Sequence, residues 1–192
     1  MCWIPNLLTL SRLILLLPIL GLLAYGTGSG AYWAALALFL LAAWTDALDG
    51  WAARRLGCAG HIGLFLDPLV DKVFANVLLI DLAFRLPDWV PLWLVVLLVA
   101  REFVVQGVRS MAPCVGVVIR TAELNKLKLV FQLVAVGTAL AGQAWADMAG
   151  ILKWATWIGL GLALASAYVS MYTLLRDNAD LWHRAAIPME VR

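Results

Sequence analysis

The stretch DALDGWAARRLGCAGHIGLFLDPLVD, residues 46–71, places four aspartates in an otherwise apolar part of the chain. Its first half has an i, i+3, i+4, i+7 spacing, which puts residues on one face of a helix: Asp46, Asp49, Gly50 and Ala53. In its second half, a glycine and two aspartates recur every four residues, which predicts a second stripe along one face of a helix: Gly63, Asp67 and Asp71. We therefore expect two helices, joined by a short hairpin, whose acidic faces meet.

The composition around this stretch is that of a membrane protein. Of the 192 residues, 64% are hydrophobic and 14% are charged, and the mean hydropathy is +0.92. A spanning helix needs about 20 mostly apolar residues. The chain offers such stretches at about 7–26, 30–53, 62–84, 88–111, 121–142 and 148–175. The fold class predicted is all-α, with six transmembrane helices in one bundle that forms a single domain over residues 1–192.

The basic residues predict the orientation of these helices. One set follows the second, fourth and sixth apolar stretches: Arg54, Arg55, Arg109, Arg120, Arg176, Arg184 and Arg192. The opposite side carries only Arg85 and Lys153. By the positive-inside rule, both termini and the acidic hairpin face the cytoplasm, with an active-site cavity open to that side of the cell membrane. The net charge is a modest +2, and we expect no nucleic acid partner.

The four aspartates need a positive partner. A carboxylate inside the hydrocarbon costs at least about 2.5–3.5 kcal/mol, and four close together would also repel one another. Arg54 and Lys72 could neutralise part of this charge, but a cluster of oxygen ligands is what Mg²⁺ or Mn²⁺ requires. Two such ions could share the four aspartates. A divalent-cation transporter is an alternative, because intramembrane acids also mark ion pathways, although the placement on one cytoplasmic hairpin favours an active site.

The full pattern is D-x-x-D-G-x-x-A-R, then eight residues, then G-x-x-x-D-x-x-x-D. It resembles the signature of the CDP-alcohol phosphatidyltransferase family. The flanking segments are similar to members that transfer the phosphatidyl group of CDP-diacylglycerol to glycerol 3-phosphate and release CMP. These segments are Asn6 to Arg12, Phe65 to Pro68, Ala100 to Phe103 and Lys126 to Lys128. With them, the similarity covers about residues 4–135.

This resemblance implies roles for the residues of the hairpin. It implies a six-helix bundle, commonly a homodimer, with two metal ions held by Asp46, Asp49, Asp67 and Asp71. It implies a CDP pocket formed by Asp49, Gly50, Ala53, Arg54, Gly63 and Asp67, with Arg54 near the pyrophosphate. Asp71 is the candidate general base, since the attacking hydroxyl must lose a proton and a carboxylate is the suitable acceptor in the cluster.

A basic region at about 101–128 suits an acceptor that carries a phosphate. We expect its residues to bind that phosphate: Arg101, Arg109, Arg120, Lys126 and Lys128. Glu102, next to Arg101, suggests a buried polar environment. Glycerol 3-phosphate or an inositol phosphate would need such a site, whereas serine would not. Because Asn125 and Leu129 depart from the residues usual beside the two lysines, another acceptor alcohol stays an alternative.

Overall fold

The structure is a computed structural model that describes residues 3–56, 61–115 and 124–178, with side chains for 11–45, 68–113 and 127–178. The described chain is helical and contains no strand, which confirms the all-α prediction. Its α-helices are α1 Trp3–Tyr25, α2 Gly28–Leu56, α3 His61–Arg85, α4 Leu92–Met111, α5 Leu124–Ala144 and α6 Ala149–Asp177. Short 3-10 helices cover Ala112–Val115 and Ala146–Met148. These bounds lie within a few residues of the predicted stretches.

The connection between α1 and α2 depends on glycine. Gly28 has a φ of 75°, and it is the one glycine with a positive φ in the described chain. Side chains other than hydrogen are disfavoured in this region of backbone space, so glycine allows the two-residue turn after Tyr25. The hairpin then returns α2 along α1, and these two helices pack together. Helix α2 ends at Leu56, three residues after the end of the predicted stretch 30–53.

Helix α5 lies in the middle of the bundle and packs against α2, α3 and α6, while α4 packs against α3 and α6. Leu79, Leu140 and Leu160 are fully buried in the shared core. Small residues bring α5 and α6 close together, since a Cβ built on Gly159 would lie 3.3 Å from the Cβ of Ala135. Such close approach stabilises helix pairs in lipid, where apolar burial alone provides little driving force.

The outer surface of the bundle is apolar. Phe84 is 85% exposed and Trp154 is 72% exposed, and many other large apolar side chains also face outward. Three stretches of the described chain are long and apolar enough to cross a membrane: Gly28–Thr45, Leu127–Ala144 and Ala146–Asp177. An apolar surface of this extent indicates a membrane protein.

Tryptophans gather at one end of the bundle. The rings of Trp33 and Trp145 meet edge to face with centroids 4.9 Å apart. The indole Nε1 of Trp157 donates a hydrogen bond to the carbonyl oxygen of Asp88 at 3.3 Å. These contacts join the start of α2, the end of α5, α6 and the turn after α3. Asp71 lies about 21 Å from Arg85 along α3 and is therefore well away from the tryptophan end of the bundle.

Candidate active site

One ring contact joins α2 and α3, the two helices that carry the predicted aspartates. The rings of Phe39 in α2 and Phe74 in α3 stack with centroids 6.1 Å apart and an interplanar angle of 14°. Asp46 follows Phe39 by seven residues, and Asp71 precedes Phe74 by three, so helical periodicity puts each acid on the face of the stacked ring. The meeting of the two acidic stripes stays a prediction, because the side chains of Asp46, Asp49 and Asp67 lie outside the described residues.

Asp71 is the predicted site aspartate whose side chain the structure describes, and it forms an ion pair with Arg12 of α1. The Arg12 side chain is 5% exposed and that of Asp71 is 22% exposed. Both residues line a small cavity of about 50 Å³ together with Ala42 of α2, which lies one turn before Asp46. Asp71 thus reaches a space that α1, α2 and α3 share.

Arg12 was not assigned to the site from the sequence, although it lies in one of the flanking segments. The sequence does contain a signal for Arg12, because a single arginine within an apolar stretch needs a buried anionic partner. The sequence did not show which acid supplies that partner. The Nη1 of Arg12 donates to Oδ1 of Asp71, a residue 59 positions away.

The remaining predicted residues of the hairpin lie in the part of the chain whose side chains are not described. They are Asp46, Asp49, Gly50, Ala53, Arg54, Gly63 and Asp67. Within the described side chains, no group of three or more His, Cys, Asp or Glu residues could hold a metal ion. The donor set itself is chemically suited to one, because it consists of carboxylate oxygens, which hard divalent cations prefer.

Glu102 of α4 organises the basic region. It is 8% exposed and forms an ion pair with Lys128 of α5. The Oε2 of Glu102 lies 3.4 Å from the Nζ of Lys72 in α3, and its Oε1 lies 3.4 Å from the Nη1 of Arg101. This confirms the buried polar environment expected beside Arg101. We call these four residues, Lys72, Arg101, Glu102 and Lys128, the Glu102 cluster.

The position of Lys72 corrects one expectation. Lys72, the residue after Asp71, was expected to neutralise part of the charge of the aspartates. Successive residues of a helix point about 100° apart, since 3.6 residues make one turn. Lys72 consequently contacts α4, where its Nζ lies 3.4 Å from Oε1 of Gln106 as well as near Glu102. Arg12 takes the place beside Asp71 instead.

Three of the five predicted acceptor-binding residues are described, and all of them lie in or near the Glu102 cluster. Arg101 is 3% exposed, and its Nε donates a hydrogen bond to the carbonyl oxygen of Ala167 at 2.8 Å. Lys128 is 4% exposed. The structure thus brings α4, α5 and α6 together through buried cations. The side chains of Arg120 and Lys126 lie outside the described residues.

Arg109 borders a groove between α3 and α4 with a volume of about 540 Å³. Lys72 and Glu102 line the same groove, whose other walls are mostly apolar. The Nε and Nη2 atoms of Arg109 are buried and have no hydrogen-bond partner among the described residues. Buried donors of this kind are costly when unmatched, so they favour an anionic group at this end of the groove.

Comparisons with known proteins identify the family of this chain. The sequence profile described as CDP-alcohol phosphatidyltransferase matches residues 2–165. The chain belongs to the CDP-alcohol phosphatidyltransferase family. It is therefore a transferase, and the resemblance seen in the hairpin extends over most of the chain.

Three relatives carry the name CDP-diacylglycerol–glycerol-3-phosphate 3-phosphatidyltransferase. The protein from Bacillus subtilis is 37% identical over 149 residues, which are 71% of this chain and 76% of the relative. The Rickettsia typhi protein is 32% identical over 171 residues, 86% and 93% of the two chains. The Cereibacter sphaeroides protein is 30% identical over 202 aligned positions, 88% and 91% of the two chains.

Proposed function

We propose that this member of the family transfers the phosphatidyl group of CDP-diacylglycerol to glycerol 3-phosphate, giving phosphatidylglycerophosphate and CMP in phospholipid biosynthesis. The observation that carries the proposal is that α3 joins a buried acid to a buried basic cluster. Asp71 supplies a carboxylate beside the cavity that α1, α2 and α3 share, and Lys72, the next residue, belongs to the Glu102 cluster with its buried cations from α4 and α5. The names of the relatives support the choice of both substrates.

On the donor side, we assign two divalent ions, Mg²⁺ or Mn²⁺, to the carboxylates of Asp46, Asp49, Asp67 and Asp71. When bound, such ions would neutralise the pyrophosphate of the donor and the charge that develops on CMP. The CDP pocket would be formed by Asp49, Gly50, Ala53, Arg54, Gly63 and Asp67. Glycine and alanine leave room there for the nucleotide to approach the backbone, and Arg54 would bind a phosphate oxygen.

Asp71 is the proposed general base. The hydroxyl of the acceptor attacks the phosphorus that bears the diacylglycerol group, and its proton passes to the carboxylate of Asp71. A new P–O bond forms, while the P–O bond to CMP breaks and CMP leaves with the bonding electrons. Arg12 holds the carboxylate from α1 and so fixes its orientation toward the shared cavity, as a base must be positioned before it can act.

On the acceptor side, Arg101, Arg109, Arg120, Lys126 and Lys128 would bind the phosphate of glycerol 3-phosphate. The unmatched donors of Arg109 and the burial of Arg101 and Lys128 support this assignment. A phosphate monoester carries about −1.5 to −2 at pH 7. Buried cations suit an acceptor of that charge better than they suit serine, which lacks a phosphate.

We further propose that all six helices cross the inner cell membrane as one domain, with both termini and the site facing the cytoplasm, and that two copies form a homodimer. The apolar outer surface and the tryptophans at the far end of the bundle support this orientation. Interfacial tryptophans are typical of membrane boundaries.

The direct test is release of CMP by the purified protein in detergent micelles that contain CDP-diacylglycerol. Glycerol 3-phosphate, inositol phosphate, serine and glycerol are supplied separately with Mg²⁺ or Mn²⁺. We expect rapid CMP release with glycerol 3-phosphate and at most about 1% of that rate with glycerol or serine, because loss of a charged hydrogen-bonded group costs about 1.5–3 kcal/mol per interaction. Failure with glycerol 3-phosphate and success with another acceptor would refute the choice of acceptor.

A further inference from the structure

The groove between α3 and α4, with a volume of about 540 Å³, combines a charged end with apolar walls. Lys72 lines the charged end together with Arg109, which lies in the last turn of α4. Ten residues, or about 15 Å, separate Arg109 from Val99 in the apolar part. Ile80 and Phe103 line that part and are exposed on the outer surface of the bundle. The groove therefore matches a ligand that has both a charged group and a hydrocarbon chain.

The charged end has a pair of donors without a partner. The Nε and Nη2 atoms of Arg109 are buried and find no hydrogen-bond acceptor in the described part of the chain. These two atoms form one edge of the guanidinium, which can donate two parallel hydrogen bonds to a single phosphate or carboxylate. Among the described residues that line the groove, Glu102 supplies the one carboxylate, and its oxygens already contact the three cations of the Glu102 cluster. The edge of Arg109 thus suits an anion from outside the chain.

We propose that this groove binds an anionic phospholipid, with the lipid phosphate on the Nε–Nη2 edge of Arg109 and an acyl chain along the apolar walls. The 15 Å between Arg109 and Val99 corresponds to one leaflet of a hydrocarbon core that is about 30 Å thick. Basic pockets between transmembrane helices bind anionic head groups in this way. The lipid is a bound partner and not a substrate, so the inference goes beyond the proposed function.

Arg109 is also among the residues proposed to bind the acceptor. A guanidinium has five N–H groups, so the Nε–Nη2 edge can hold a lipid phosphate while Nη1 stays open to a second anion. The two assignments are therefore compatible, and each has its own measurement: lipid binding for the groove and CMP release for the reaction.

Two other occupants fit the groove less well. A free phosphate would fill the charged end and leave the apolar walls beside Val73, Val77 and Val99 uncovered. A second copy of this chain, docked through the same groove about a two-fold axis, would bring a second set of the same cations to this face instead of an anion. A phospholipid supplies both the negative charge and the hydrocarbon that the groove lacks.

The test measures lipid binding to the purified full chain in a non-ionic detergent by native mass spectrometry. Dioleoylphosphatidylglycerol is the anionic probe, and dioleoylphosphatidylcholine has the same acyl chains without net charge. Arg109→Gln removes the phosphate-binding edge. Val73→Trp adds bulk in the apolar part, at a groove residue that is 38% exposed, and changes no charge. Folding of each variant is checked by a thermal melt.

Each variant has a matched control. Arg85→Gln removes an arginine from the last turn of α3, where Arg85 pairs with Asp81 away from the groove. Val96→Trp adds the same bulk to an outward-facing residue of α4 that is 55% exposed and is not among the residues lining the groove.

We expect the unchanged protein to retain one phosphatidylglycerol with a Kd at least about tenfold lower than its Kd for phosphatidylcholine, the difference typical of one charged hydrogen bond. Arg109→Gln should reduce this preference to less than about threefold. Val73→Trp should weaken binding of both lipids by about tenfold, as expected when roughly two methylene groups leave the groove. Both controls should stay within about twofold of the unchanged protein.

Three results would overturn the inference. The first is equal affinity of the unchanged protein for the two lipids, and the second is a preference for phosphatidylglycerol that survives in folded Arg109→Gln. The third is unchanged lipid binding by Val73→Trp, which would leave a free phosphate as the occupant, or a second copy if gel filtration shows that the oligomeric state has changed. Lipid binding without CMP release would instead refute the proposed function alone.

Discussion

The assignment of Asp71 as general base leads to a prediction for Asp71→Asn. The substitution removes a charge and a proton acceptor, but it keeps the shape of the side chain and an oxygen that can accept a hydrogen bond from Arg12. Loss of a general base lowers a rate about 10²–10⁴-fold, which corresponds to about 3–5 kcal/mol in the activation barrier. We expect kcat for CMP release to fall by at least this factor.

The same substitution should also lower stability, and this cost can be separated from catalysis. The Arg12 side chain is 5% exposed, so weakening its charged contact should cost about 1–3 kcal/mol. For a chain of this length, that corresponds to a fall in melting temperature of about 2–12 °C. An assay at 25 °C, with the folded fraction checked by gel filtration and a thermal melt, would therefore measure catalysis by folded protein.

Asp81→Asn is the matched control. Asp81 lies ten residues further along α3, and its Oδ2 accepts from the Nε of Arg85 at 2.8 Å. The side chain of Asp81 is 19% exposed, close to the 22% of Asp71. It belongs to the tryptophan end of the bundle, so its substitution should cost at most about 1 kcal/mol and leave kcat unchanged.

Metal titration distinguishes a base from a ligand. If Asp71→Asn recovers most of its kcat at a tenfold higher Mg²⁺ or Mn²⁺ concentration, Asp71 acts mainly as a metal ligand. If folded Asp71→Asn retains the kcat of the unchanged protein at any metal concentration, the reasoning that places the base on α3 is wrong. A loss of kcat that persists at saturating metal, together with full activity of Asp81→Asn, is the expected result.

Three further predictions concern the metal, Arg12 and the packing of α5. A chelator should abolish CMP release, and added Mg²⁺ or Mn²⁺ should restore it; activity that survives complete chelation would contradict the metal assignment. Arg12→Ala should lower kcat at least tenfold, because Asp71 loses its ion pair with Arg12, whereas Arg12→Lys should recover part of that loss. Equal activity of Arg12→Ala and the unchanged protein would contradict a role of Arg12 in orienting Asp71. Gly142→Ala should lower the free energy of unfolding by about 1–3 kcal/mol, because a Cβ there would overlap the Trp89 ring. Gly150→Ala, where the new Cβ would meet nothing within 4 Å, should cause no loss in the same thermal melt.

The helices could be predicted from the sequence because their signals are local. The spacing of the aspartates in the hairpin determines which residues share a face, and α2 ends within three residues of the predicted stretch 30–53. The turn before Gly28 has a local signal of the same kind, since glycine-rich segments between apolar stretches mark connections. A buried environment for Arg101 followed from the acid beside it and is confirmed by its 3% exposure.

The contacts between helices could not be predicted in the same way. Helical periodicity shows which side chains point in one direction, but it does not show which neighbouring helix lies there. Asp71 and Lys72 are adjacent in sequence, yet the first contacts Arg12 of α1 and the second contacts Glu102 of α4. Each of these partners is 30 or more residues away, so the choice between them depends on how α3 is rotated within the bundle.

Charge compensation links these contacts to the chemistry. Away from the tryptophans, the described charged residues form the Arg12–Asp71 pair and the Glu102 cluster with nearby Arg109. They are Arg12, Asp71, Lys72, Arg101, Glu102, Arg109 and Lys128. They comprise five cations and two carboxylates, whereas the predicted acidic stripes add further carboxylates from α2 and α3. Isolated buried charge is costly in a membrane protein. Under the proposed function, divalent metal would compensate the acidic stripes, and the acceptor's phosphate would lie beside the Glu102 cluster. Binding of either partner should therefore make binding of the other more favourable, because metal-bound donor and phosphate-bearing acceptor together leave less uncompensated charge than either does alone.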